Sequence, residues 1–109
     1  MPYETALQEW QAGERRLAAA RREDPALGRT LDRVVGALVN ELRRRLGGTF
    51  SVDELVDLYD RGTDWCLSIA VSLVPDEPAA WDAFLADAAF ARYQHEARDY
   101  SGGRYVGRE

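Results

Sequence analysis

Leu27, Leu31, Val34, Val35, Leu38, Leu42 and Leu46 recur at spacings of three and four residues, a period that brings them together only on one side of an α-helix. The same period returns in three other stretches. In residues 3–22 it runs through Tyr3, Ala6, Leu7, Trp10, Leu17 and Ala18, with Gly13 and Glu14 interrupting the face. That interruption predicts the weakest packed of the four segments. The Leu27–Leu46 segment opens with Asp24-Pro25, an N-cap residue followed by proline where its missing N–H costs nothing. Arg43, Arg44 and Arg45 fill its last turn, next to the negative end of the helix dipole, and Gly47-Gly48 stops it.

The third segment opens with Ser51-Val52-Asp53-Glu54, the pattern of a capping box, and Phe50 precedes it as a hydrophobic staple. Its apolar phase runs through Val52, Leu55, Val56, Tyr59, Cys66, Ile69, Ala70 and Leu73 and is not reset at Arg61-Gly62-Thr63. An unbroken phase predicts one helix over 51–74, with Gly62 inside at a cost of about 1 kcal/mol. The alternative is a pair of helices, Gly62 ending the first and Thr63 capping the second. After Pro75, a fourth helix over 78–100 places Trp81, Phe84, Leu85, Ala88 and Ala91 on its main face, and Ser101-Gly102-Gly103 ends it.

Leu58, Trp65, Leu67, Ile69 and Val74 extend the apolar surface of the third helix well past half its circumference, as befits a helix with several neighbours. The expectation is an all-α, compact four-helix bundle with this central hydrophobic helix, or five helices if Gly62 divides it. Residues 1–100 form the single domain, and 101–109 a short, polar, mobile tail.

At 109 residues the chain holds one core, and its 46% hydrophobic and 30% charged residues are ordinary globular usage. No apolar run approaches the ~18–20 residues of a membrane span, so no membrane partner is expected. The opening MPYETALQEW lacks a basic and an apolar leader region. With a single cysteine, Cys66, these features point to the cytoplasm. The net charge of −5 is unevenly laid down: residues 1–48 hold nine arginines against seven acids, and 49–109 hold five against twelve. A net-acidic chain is poorly suited to a phosphate backbone, and nucleic acid is disfavoured as a partner.

Two surfaces stand out as candidates. Asp53, Asp57, Asp60 and Asp64 are spaced four, three and four apart, which stacks them on the side of the third helix opposite its core. Such a ridge is ordinarily a solvated face; its functional reading is a docking strip for a basic partner. On the fourth helix, Ala83, Ala86, Phe90, Tyr93 and Ala97 lie opposite the main face. Burial inside the fold, cover by Tyr105 and Val106 of the tail, and an interface compete to explain them. Phe90, Tyr93, Ala86 and Ala97 are accordingly the candidate partner or self-association surface, since aromatics among small residues are common in contacts.

Site chemistry is thin. Cys66 and His95 are the only residues of their kinds, and Cys66 falls in the apolar phase, where a thiol is normally inert. No Walker loop, GxGxxG, CxxC pair or GxSxG occurs, so no catalytic, cofactor-binding or metal-ligating residue is assigned. A helix-turn-helix beginning at Ser51 would have TDWCLSIAVSLV as its recognition helix, with no basic residue to read bases. The expected function is a non-enzymatic protein-interaction or regulatory domain acting through exposed helix surfaces, toward a protein partner or a second copy. One rival is a transcription- or nucleic-acid-associated accessory protein using the arginines of the N-terminal half. Another is a small enzyme or ligand carrier with a pocket lined by Tyr59, Trp65 and Trp81.

Overall fold

The computed structural model describes residues 1–47, 49–73, 82–96, 98–101 and 104–106. Among these residues five helices form an all-α bundle: α1 (Tyr3–Glu23), α2 (Pro25–Leu46), α3 (Val52–Asp60), α4 (Asp64–Leu73) and α5 (Asp82–Glu96). Three short strands fringe it, β1 (Thr49–Ser51), β2 (Arg98–Ser101) and β3 (Arg104–Val106).

One residue joins α1 to α2. Asp24 donates its backbone N–H to the Ala20 carbonyl at 2.9 Å, closing α1. Its side chain accepts from the Leu27 N–H at 3.2 Å, opening α2, and Pro25 stands at the first turn. The expected caps are present at both later ends: Gly47 turns out of α2 with φ 76°, and Ser51 Oγ accepts from the Glu54 N–H at 3.1 Å. Phe50 is buried and stacks on Tyr93, ring centroids 5.0 Å apart.

The third segment is two helices rather than one. Arg61 closes α3, with its N–H bonded to Asp57 O at 3.1 Å, and Gly62 takes φ 112°, a conformation that only glycine adopts without strain. The apolar phase survives this break because α3 and α4 each turn their own apolar side to the same core. Leu55, Val56, Cys66 and Ala70 are buried, while Tyr59, Trp65 and Ile69 are half-buried at its margin.

The enclosed helix is α5, not the third segment. It packs against α1, α2 and α4, and Phe84, Leu85, Ala86, Ala88, Ala89, Phe90, Ala91 and Tyr93 are all buried. The expectation of a poorly packed α1 fails for the same reason. Ala6, Trp10, Gly13 and Leu17 are buried against α5, and a Cβ on Gly13 would lie 2.4 Å from Asp87 Cβ and 2.8 Å from the Phe84 carbonyl. The glycine is the point of closest approach between the two helices, not a gap in the face.

At the end of the bundle the strands pair in the order β1-β3-β2, all antiparallel. Phe50 stands opposite Tyr105, and Ser101 opposite Arg104. Part of the stretch read from sequence as a tail therefore returns along β1 as the middle strand. Its placement depends on the distant Thr49–Ser51 segment, which local sequence cannot announce.

Candidate functional site

The four side chains proposed as an α5 contact surface are placed by the fold. Ala86, Phe90 and Tyr93 are 3%, 0% and 1% exposed; Ala97 lies outside the described residues. Phe90 stacks on Trp10 at 5.3 Å and meets Tyr59 edge-on at 5.1 Å. The second apolar face of α5 is thus core, covered by α1 and by Tyr59 of α3, and its three described members are unavailable to a partner. Burial pushes the Tyr93 phenol up, against a lowering influence from Arg43, and its Oη finds no hydrogen-bond partner among the described residues.

The carboxylates of the ridge are all exposed, but they no longer share one rod. Asp53, Asp57 and Asp60 remain in line on α3, whereas Asp64 starts α4 beyond the break. Two are paired: Asp57 with Arg61, and Asp60 with the Met1 ammonium at 2.9 Å. Asp53 and Asp64 carry no ion pair among the described residues and lie in first turns, where a carboxylate complements the positive end of a helix.

Arginines gather on the opposite elements. Asp32 Oδ1 of α2 receives Arg21 of α1 and Arg92 of α5, each at 3.2 Å, so one carboxylate knots three helices and leaves a surplus of positive charge. Arg29 and Arg33 flank Asp32 on a shallow surface. Arg15, Arg22, Arg29 and Arg33 are exposed and carry no ion pair among the described residues. Other arginines are engaged: Arg44 and Arg45 pair with Glu41 at 2.6 and 3.1 Å. Arg16 lies over the Phe84 ring at 4.7 Å and Arg45 over Trp65 at 4.6 Å, geometry suited to a cation–π contact.

A polar cluster that the sequence does not announce joins α1, α3 and α5. The Tyr59 hydroxyl lies 2.6 Å from Asp87 Oδ1 and 3.0 Å from Glu9 Oε2. One phenolic hydrogen cannot fully satisfy two carboxylates. Burial first, then the hydrogen bond and charge of Asp87, push the Tyr59 phenol far above its ordinary range. Burial raises Asp87 as well, with Glu9 adding to the effect and the Tyr59 hydrogen bond and Arg16 opposing it. The three residues stand 50 and 28 positions apart, so no local pattern could bring them together.

The remaining chemistry-bearing groups do not converge. Cys66 is buried while His95 is exposed and makes no hydrogen bond among the described residues; they form no dyad. Tyr59 is held in the carboxylate cluster and Trp65 lies under Arg45; Trp81, the third wall of the suggested pocket, lies outside the described residues. Among the described residues no three His, Cys, Asp or Glu side chains gather as a metal site, and no helix is long and apolar enough to cross a membrane. No family model, curated protein or solved structure matches the chain.

Proposed function

We propose that this chain is a protein-interaction domain whose working surface is its segregated charge. The observation that carries this reading is the failure of available opposite charges to meet. Among the described residues Arg22, Arg29 and Arg33 have no ion-pair partner on the α1–α2 hairpin, and Asp53 and Asp64 have none at the starts of α3 and α4. Like charges grouped on one face repel and weaken a fold by a few tenths of a kcal/mol per close pair. A partner of complementary charge offsets that repulsion and is steered to the matching face. With the apolar side of α5 enclosed, charged helix surfaces are what the domain has left to present.

The test compares three immobilised proteins for partners captured from the native host and identified by mass spectrometry. They are the wild type, an Arg22→Gln/Arg29→Gln/Arg33→Gln variant and an Asp53→Asn/Asp64→Asn variant. All substituted side chains are exposed, so the fold is retained. The expected result is a partner lost from one variant and kept by the other, with capture weakened by salt. Equal capture by all three proteins would remove the reading.

A further inference from the structure

We propose that the groove between α1 and α5 binds a small organic oxyanion, a carboxylate or phosphate head carried on a short apolar stem. This rests on a different observation from the interaction reading and does not depend on it. The groove has a volume of about 540 Å³, within the ~300–1,000 Å³ typical of small-ligand sites. Its floor is made by small residues: Ala18 of α1 and the buried Ala91 of α5, with Leu7 beside them. Two long helices carry the lining, which fixes the spacing of the groups along it.

Arg15, Arg21 and His95 line the same groove. Arg15 and His95 make no hydrogen bond or ion pair among the described residues. Arg21 is different: its Nη1 lies 3.2 and 3.3 Å from the two Asp32 oxygens, which fixes the guanidinium in place. Asp32 is shared with Arg92 at 3.2 Å, so it does not cancel the positive charge around it. Guanidinium groups present paired donors that match the geometry of a carboxylate or phosphate. Gln94 adds an amide already oriented by its bond to the Tyr3 hydroxyl at 2.9 Å, and Gln11 a second amide. Among the described residues Glu14 is the one carboxylate in the lining; with it opposing two arginines, the site favours a head of one or two negative charges. Among the described residues no phenylalanine, tyrosine or tryptophan lines the groove, which leaves the His95 imidazole as a poor substitute for the row of aromatic platforms that single-stranded nucleic acid uses. The combination selects a compact anion with an apolar body lying over Ala18 and Ala91.

The probe is phenyl phosphate, titrated into the ¹⁵N-labelled protein and followed by NMR, with inorganic phosphate and phenol as partial probes. The expected result is saturable, sub-millimolar binding that moves the Ala18, Ala91 and His95 amides. Each partial probe should bind about tenfold more weakly, lacking either the stem or the charge-assisted hydrogen bonds. Arg15→Gln should weaken phenyl phosphate about tenfold while leaving helicity intact, because the Arg15 side chain is exposed and holds nothing else in place. Arg44→Gln, exposed and outside the groove, should leave phenyl phosphate binding unchanged. Non-saturating shifts spread over every exposed arginine would overturn the proposal, as would full-strength binding by Arg15→Gln.

Discussion

Helix α5 and the α3–α4 pair exchange the roles that their compositions suggest. The α4 sequence is the more apolar of the two, yet Trp65 and Ile69 lie half-buried at the margin and Leu73 is 52% exposed. α5 interleaves Asp87 and Arg92 with its apolar residues and is still enclosed over nearly its whole length. The difference lies in size. Ala86, Ala88, Ala89 and Ala91 keep α5 thin, so neighbouring helices can close on it from several sides, and Gly13 of α1 exploits that at the crossing. Bulky side chains fill one interface well but hold other helices away, because interaxial distance follows the residues at the contact. Centrality is therefore set by how closely a helix can be approached, as much as by how apolar it is.

The sharpest way to break this comparison is to hollow out α5. Phe90→Ala should cost about 3–5 kcal/mol in urea unfolding, the usual range for a fully buried phenylalanine, and should loosen Trp10 and Tyr59 together. A cost near zero with loss of self-association would return Phe90 to the surface. Gly13→Ala comes next. An exposed helix interior would gain about 1 kcal/mol from alanine; here the added methyl meets backbone of α5, and overpacking of about 1–3 kcal/mol is expected instead. Thermal unfolding gives the sign directly.

The break between α3 and α4 is tested by Gly62→Ala. Space around Gly62 is open, so only its backbone resists. A φ of 112° should make the variant less stable by about 1 kcal/mol or more. A gain in stability and helicity would mean that one helix runs through the site.

The smallest effect is expected at Asp87, which ties the two regions through Tyr59. Its folded-state pKa is raised, chiefly by burial. Its contribution to stability is therefore complete below the unfolded carboxylate value and is lost as pH rises through the folded value. Asp87→Asn removes that loss while keeping a hydrogen-bond acceptor for Tyr59. The variant should gain on the wild type as pH rises from about 4 to 8, by under about 1 kcal/mol because solvent still reaches the cluster. Parallel urea titrations across that range would show a constant offset if Asp87 were unperturbed.

How much of the candidate site was legible varies by residue. Asp53, Asp57 and Asp60 share an exposed face because their spacing is local, and Asp64 left the ridge because one glycine torsion lies between. Phe90 and Tyr93 had the pattern of a contact surface, but helical phase states only that a face is apolar; Trp10 and Tyr59, supplied by other helices, decided what covers it. The α1–α5 groove and the Asp32 knot were invisible, since each is assembled from residues more than ten positions apart.

Sequence alone determined that the chain is helical, where α2 begins and ends, and that Ser51 caps the helix after it, because caps and periodicity act within a turn or two. Tertiary structure decided which helix lies inside, that Gly62 divides a continuous apolar phase, and that the last strand returns to β1. Those outcomes depend on close approach between distant segments, and the energy of approach is set by small residues and bulky neighbours that meet only after folding.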